Sequence, residues 1–245
     1  MSDFNEAYSA IGGIFERLNK DCGYLQWSQY LIKTLKREGV DAGARGADIG
    51  CGNGYFTRAL EKSGYCMLGV DSSPEMLTEA VNLARDEGIR APFVQGDIQR
   101  LDLGFKADFI VAINDVINYI PQDGLERTFK KVHSNLKKGG IFLFDISSEY
   151  KLRNIIGNNM FCEDEDDYAL VWFNFLFEDR VEMHITLFLS EDGENFSRKE
   201  EKHIQYIHGE NDILQILQKA GFSVRCEGHL GGDKEQRINF ICKKI

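Results

Sequence analysis

Between residues 45 and 146, short apolar runs alternate with amphipathic stretches, and that rhythm restricts the chain more than any other feature. The runs at 45–49, 65–71, 92–95, 109–113 and 141–146 are too short for helices and too evenly apolar for strands with one wet face. The stretches between them, 55–62, 74–87 and 124–136, carry apolar residues at helical spacing. Ser73 before Pro74 reads as a cap followed by a residue whose missing N–H is harmless in a first turn. Lys137-Lys138-Gly139-Gly140 reads as a basic last turn stopped by glycine. Strands buried on both faces and linked by helices predict a parallel sheet with helices on either side.

The flanks follow other rules. Residues 4–38 read as two helices, with Leu25, Trp27, Leu31, Ile32 and Leu35 near helical spacing and Gly39 as a stop. From 168 to 206 the period changes to two: Val181, Met183, Ile185, Leu187 and Leu189 face one way, Glu182, His184 and Thr186 the other. Residues 170–177 and 202–206 are expected to pair with that strand as a small antiparallel sheet. The first rhythm resumes with a helix at 212–220, stopped by Gly221, and strands at 222–226 and 238–243 that look like a closing antiparallel hairpin. The expected division is an α/β unit from 1–150 and 207–245, with a helical cap at 1–38, and an insert at 151–206.

A net charge of -10 disfavours nucleic acid and acidic membranes as partners, both being polyanions. The N-terminal residues have no basic segment followed by an apolar run, and no stretch approaches a membrane span in length. Six scattered cysteines without a Cys-x-x-Cys pair suit reduced thiols in a cytoplasmic protein. The acidic run Glu163-Asp164-Glu165-Asp166-Asp167 lacks the glycine and spacing of a calcium loop and reads as a solvated loop. The five histidines form no ligand-spaced cluster, so no metal is expected.

Ala47-Asp48-Ile49-Gly50-Cys51-Gly52-Asn53-Gly54 ends the first strand and opens the first helix. Glycines there let the backbone touch a ligand and take positive φ, at the sheet edge where open α/β folds bind ligands. The dinucleotide fingerprint Gly-x-Gly-x-x-Gly would need its third glycine at Tyr55; here the extra glycine falls one residue early, at Gly54. That phase suits a ligand without a pyrophosphate. Asp71, ending the second strand, is placed to accept both hydroxyls of a ribose. Asp97, after the third strand, is placed for an adenine amino group.

With these residues in hand, the chain resembles the class I S-adenosylmethionine-dependent methyltransferases. The resemblance rests on Asp48-Ile49-Gly50-Cys51-Gly52-Asn53-Gly54, Asp71-Ser72-Ser73-Pro74-Glu75-Met76-Leu77, Gly96-Asp97-Ile98, Leu136-Lys137-Lys138-Gly139-Gly140 and Ala220-Gly221-Phe222. Within that class it is most similar to small-molecule enzymes such as the sugar N,N-dimethyltransferases, through Tyr24-Leu25-Gln26-Trp27 and the antiparallel insert; Phe15-Glu16 departs from a Tyr-Asp pair that relatives often carry. The resemblance implies a Rossmann-like, seven-stranded, mostly parallel sheet whose last strand is antiparallel. It implies S-adenosyl-L-methionine as cofactor, with its amino-acid end near Tyr8, Tyr24, Asp48, Gly50 and the carbonyl of Ile113 or Asn114. The glycine turn, with Cys51, Gly52 and Gly54, lies beneath it. Asp71, Ser72 and Met76 would serve the ribose, Asp97 and Ile98 the adenine. Tyr24, Trp27 and Met76 equally fit a packing role, and Cys51 reads as a small packed residue rather than a nucleophile.

Tyr119, in Val116-Ile117-Asn118-Tyr119 after the fourth strand, occupies the place where relatives put an acceptor-side polar residue; it is the candidate to accept or relay a proton, and it equally fits a residue that only lines the pocket. Trp172, Phe173, Phe175 and Phe177, with Met183 and Ile185, are expected to roof an apolar pocket for a small acceptor. The rival role for that insert is a dimer interface, so the chain is expected as monomer or homodimer. Two alternatives stay open: a nicotinamide-dependent oxidoreductase and a non-catalytic S-adenosylmethionine-binding module.

Overall fold

The computed structural model of the protein describes Tyr8, Arg17, residues 23–190, Asp192 and residues 194–245. The first of the two helices expected in 4–38, with Phe15, Glu16 and Cys22, lies outside the described residues. The second is α1 (Tyr24–Arg37), which buries Trp27, Leu31 and Leu35, one turn apart, while Leu25 stays in solvent.

Seven strands form the main sheet: β1 (Arg45–Ile49), β2 (Cys66–Asp71), β3 (Phe93–Gln95), β4 (Ala107–Ala112), β5 (Leu136–Ser147), β10 (Phe222–Gly228) and β11 (Arg237–Lys244). Their order is β10-β11-β5-β4-β1-β2-β3. All neighbours run parallel except β11, which is antiparallel to both β5 and β10. The linking helices are α2 (Tyr55–Lys62), α3 (Pro74–Asp86), α4 (Leu125–Asn135) and α5 (Glu210–Lys219). Successive side chains of β4 supply two different cores: Ile110 and Ala112 join Phe129, Phe142 and Phe240, whereas Phe109 and Val111 join Trp27, Leu31 and Phe56. The sheet is therefore covered on both faces, which is why its strands read as continuous apolar runs. Ser73 caps α3 by accepting from the Met76 N–H at 3.2 Å.

The reading of Lys137-Lys138-Gly139-Gly140 as a helix end is corrected. Helix α4 stops at Asn135, and Leu136 already begins β5. The end of α4 is served instead by Lys244, whose Nζ donates to His133 O in the last turn at 2.7 Å and to the O of the capping Leu136 at 2.8 Å. Lys137 turns back to Asp108 at 2.7 Å, where the β4–β5 register shifts.

A second sheet holds β6 (Met160–Asp164), β7 (Tyr168–Leu176), β8 (Arg180–Ser190) and β9 (Phe196–Tyr206), each antiparallel to the next. Val181, Met183, Ile185 and Leu187 are buried, as their alternation predicts. The acidic run is solvent-facing at Glu163 to Asp166, but Glu163 and Asp164 sit on the edge strand β6 rather than in a loop. The expected aromatic roof is also corrected. Side chains alternate along β7, so Tyr168, Leu170 and Asn174 are buried while Phe173 and Phe175 point to solvent at 46 % and 44 % exposure, and Phe177 is exposed beyond the strand. Only Trp172 of the four packs inward, against both inner-face clusters of this sheet. Among the described residues no helix is long and apolar enough to cross a membrane.

Candidate active site

Strand order reverses between β1 and β4, and a cavity of about 260 Å³ opens there at their carboxyl ends. Its floor is the turn after β1. Gly50, Gly52 and Gly54 have φ of 69°, 54° and 78°, a region that side-chain-bearing residues enter only at a cost. The Gly50 and Cys51 N–H groups both donate to Val70 O, at 2.7 and 3.0 Å, which folds the turn over the end of β2. A Cβ on Gly50 would lie 2.5 Å from Val116 Cγ2, and one on Gly54 2.6 Å from Phe93 Cε1. Gly50 and Gly52 line the cavity; Gly54 packs behind them.

Asp71 enters from the end of β2. Its Oδ2 accepts from Gly52 N at 2.7 Å and its Oδ1 from Ser73 N at 2.9 Å. Each oxygen keeps a lone pair after these bonds, so two more donors can be met from the cavity. Burial pushes the Asp71 carboxyl up, and the backbone donors pull it part of the way back. Asp97 caps the short turn Ile98–Arg100 by accepting from Gln99 N at 2.8 Å, and Asp97 and Ile98 both line the cavity. Ser72, Met76, Cys51, Ile113 and Asn114 line it too, as does Tyr24, which stacks on Tyr55 with centroids 4.8 Å apart. Asp48 does not reach it. It lies behind the turn, accepts from Thr57 Oγ1 at 2.6 Å, and burial pushes its carboxyl up to about 7. Burial also raises the Cys51 thiol, so this is no thiolate nucleophile.

The opposite wall is built by groups far apart in sequence. Asn114 and Asp115 both take positive φ, 70° and 69°, after β4. Their N–H groups donate to the two oxygens of Asp145 on β5, at 2.7 and 3.2 Å. Asp145 and Asp115 share the guanidinium of Arg237 from β11, and Asp115 also accepts from Ser147 Oγ at 2.8 Å. Burial alone would raise Asp115, but Arg237, Lys151 and the Ser147 hydroxyl together hold that carboxyl below its usual range. The next turn, Val116–Tyr119, is pinned by Asn118, which is fully buried. Asn118 Oδ1 accepts from Ser147 N at 2.9 Å and its Nδ2 donates to Tyr206 O at 3.0 Å, tying the turn to β5 and to the end of β9.

That anchoring aims Tyr119 into the cavity beside Tyr8, hydroxyl to hydroxyl at 2.9 Å. Burial raises both hydroxyls above their ordinary value. Tyr119 Oη also meets His203 Nδ1 at 2.8 Å, and His203 Nε2 meets Glu201 Oε1 at 2.5 Å. His203 and Glu201, together with Arg237, Asp115 and Asp145, escape a reading of the sequence. The available signal is the alternation Glu201, His203, Gln205, three buried polar residues paired across the sheet with Ile185, Met183 and Val181. One strand alone does not say which of its faces is inside.

Such a cradle at the switch point of a doubly wound sheet, with two carboxylates along its rim and an antiparallel closing strand, defines a class I methyltransferase fold rather than a dinucleotide-linked dehydrogenase. A family model described as a methyltransferase domain matches residues 47–140. A solved S-adenosylmethionine-dependent methyltransferase from Clostridium acetobutylicum is 31% identical, covers 98% of this chain and 99% of its own, and superposes with a TM-score of 0.87. The chain belongs to the S-adenosylmethionine-dependent methyltransferases. It is also 27% identical, over 97% of its length and 99% of the relative's, to a Geobacillus sp. protein whose name goes no further than methyltransferase. The sugar N-methyltransferase KedS8 of Streptoalloteichus sp. shares the fold at 16% identity, with a TM-score of 0.81 over 100% of this chain and 96% of its own.

Proposed function

We propose that the protein transfers a methyl group from S-adenosyl-L-methionine to a nitrogen or oxygen of a small-molecule acceptor. The observation that carries this reading is the cavity itself, which runs from the glycine turn, Asp71 and Asp97 to the paired hydroxyls of Tyr8 and Tyr119. Gly50 and Gly52 line the cavity and offer it bare backbone, in a positive-φ turn that suits residues without a Cβ. Asp71 would hold the ribose and Asp97 the adenine; Tyr8, Tyr24, Ile113 and Asn114 would flank the amino-acid end. When bound, the sulfonium cofactor supplies a methyl group with an excellent leaving group already attached. The protein's work is then to align the acceptor and exclude water.

Tyr119 stands on the acceptor side, on a turn made rigid by Asn118. The acidic chain repels polyanions, which favours a small acceptor over nucleic acid. KedS8 acts on a sugar, by its name, which agrees with a pocket of this kind. The test is incubation of the enzyme with S-adenosylmethionine and a metabolite library, reading S-adenosylhomocysteine release. Parallel melting curves with S-adenosylmethionine, S-adenosylhomocysteine and NAD should show stabilisation by the first two alone. A ligand at about one hundred times its Kd adds roughly 2.7 kcal/mol. Stabilisation by NAD alone, or release with no acceptor in the library, defeats the proposal.

A further inference from the structure

Resting on that reading, we infer that Glu201 and His203 form a proton acceptor behind Tyr119, and that the group methylated is a hydroxyl. The donor directions along the chain follow from its far end. A carboxylate only accepts, so His203 Nε2 carries the proton toward Glu201 at 2.5 Å, which in the neutral ring leaves Nδ1 bare. Tyr119 then donates its one proton to Nδ1 at 2.8 Å, and the 2.9 Å contact with Tyr8 must be a donation from Tyr8. All bonds along this path point from the cavity toward the insert.

The burial of the dyad is what makes it informative. Glu201 is fully buried and His203 is 3 % exposed, on a face of β9 that lies against Ile185 and Met183 of β8. Neither residue lines the cavity; Tyr8 and Tyr119 do. A carboxylate placed in such surroundings is costly unless it is paired and hydrogen-bonded. Here the neighbour is an imidazole, and the charge that forms is an imidazolium.

The step balances without any added reagent. As the acceptor oxygen bonds to the methyl carbon, its proton passes to Tyr119 Oη and Tyr119's own proton passes to His203 Nδ1. In the bound cofactor the carbon–sulfur bond would break with its electron pair going to sulfur, turning a sulfonium into a neutral thioether. Glu201 stabilises the imidazolium until its proton returns to solvent. An amine can shed its proton to water before it enters the pocket, after which its lone pair attacks unaided and the product ammonium again loses its proton to water. A hydroxyl is a poor nucleophile until its proton departs, which is the situation a buried base serves.

Two measurements test the inference. Nitrogen-15 spectroscopy of the wild-type His203 ring should show a protonated Nε2 and a bare Nδ1 at neutral pH; a protonated Nδ1 overturns the relay, whatever the acceptor. The second is turnover on a library of phenols, enols, alcohols and amines by wild type, His203→Ala and Glu201→Gln, with cofactor Kd measured alongside. Hydroxyl acceptors should be the ones methylated. His203→Ala should lose about 100-fold in kcat, the low end of general-base effects, and Glu201→Gln, which acts through the imidazole, about tenfold. Cofactor Kd should stay within about twofold of wild type, because neither residue lines the cavity. Glu201→Gln keeps the side chain's size and carries the test where His203→Ala fails to fold. Full-rate turnover of a hydroxyl acceptor by the folded variants, or a wild type that methylates amines alone, overturns this inference and leaves the methyl-transfer reading standing. Turnover on nothing in the library overturns both.

Discussion

Arg237 donates to Asp115 across 122 residues of chain, Nη1 to Oδ1 at 2.7 Å, and the same nitrogen holds Asp145. Asp115 and its neighbour Asn114 are the two positive-φ residues after β4, both held by Asp145, and Asn114 lines the cavity, so the last strand of the sheet braces the ligand edge. Its guanidinium also lies 4.8 Å from the Trp27 ring, which joins the brace to α1.

Replacing Arg237 with Met should therefore strand two buried carboxylates. Losing one partner of a buried ion pair costs about 3–5 kcal/mol. Urea denaturation should show that loss, and adding Asp115→Asn should recover part of it by removing one stranded charge. A single variant as stable as wild type would show that the brace is idle.

Asp71→Ala should weaken S-adenosylmethionine binding by about 1–3 kcal/mol, the range for buried polar partners left unpaired. The substitution also frees the N–H groups of Gly52 and Ser73. Circular dichroism must first show a folded protein, after which calorimetry gives the affinity. Unchanged affinity removes Asp71 from the ribose site.

Asp48 predicts a pH dependence of stability. Its folded carboxyl is pushed up to about 7 by burial, against the Thr57 hydrogen bond, while the unfolded carboxyl titrates near about 3.9. Between those values the folded chain holds a proton that the unfolded chain has released. Stability from this group is full below about pH 4 and is lost as pH rises toward 7, by up to about 4 kcal/mol. Asp48→Asn should raise Tm at pH 8 and leave it near wild type at pH 4. Equal shifts at both pH values would disprove the assignment.

Gly50→Ala should destabilise the fold by about 1–3 kcal/mol, through positive φ and overpacking together. The new Cβ meets Val116 Cγ2 at 2.5 Å, so a second change, Val116→Ala, should relieve the contact while the backbone strain of about 1–2 kcal/mol remains. Denaturation midpoints of the single and double variants separate the two terms. A double variant with full wild-type stability means that φ there is not strained.

Much of this molecule is local and therefore legible. The bounds of β1 and α2 match their expected 45–49 and 55–62, because an apolar run, a glycine turn and an amphipathic stretch are all decided within a few residues. The Asp71 and Asp97 positions are legible for the same reason: each ends or follows a short strand, and the strand carries it to the sheet edge. The Lys137–Lys138 stretch misleads because a distant residue, Lys244, takes over the work of ending α4.

The amino-acid order by itself determined the sheet, its helices, the glycine cradle and the family of the cofactor, since these depend on period, turn chemistry and contacts between sequence neighbours. The tertiary structure decided which side of each insert strand faces inward, turning Phe173 and Phe175 to solvent and Glu201 and His203 to Tyr119. It also decided that Arg237 would meet Asp115 and Asp145. The physical reason is that alternation defines two equivalent faces on a strand, and only packing against the rest of the chain breaks that equivalence. Buried polar partners 84 and 122 residues apart come together through topology, and no local pattern encodes their distance.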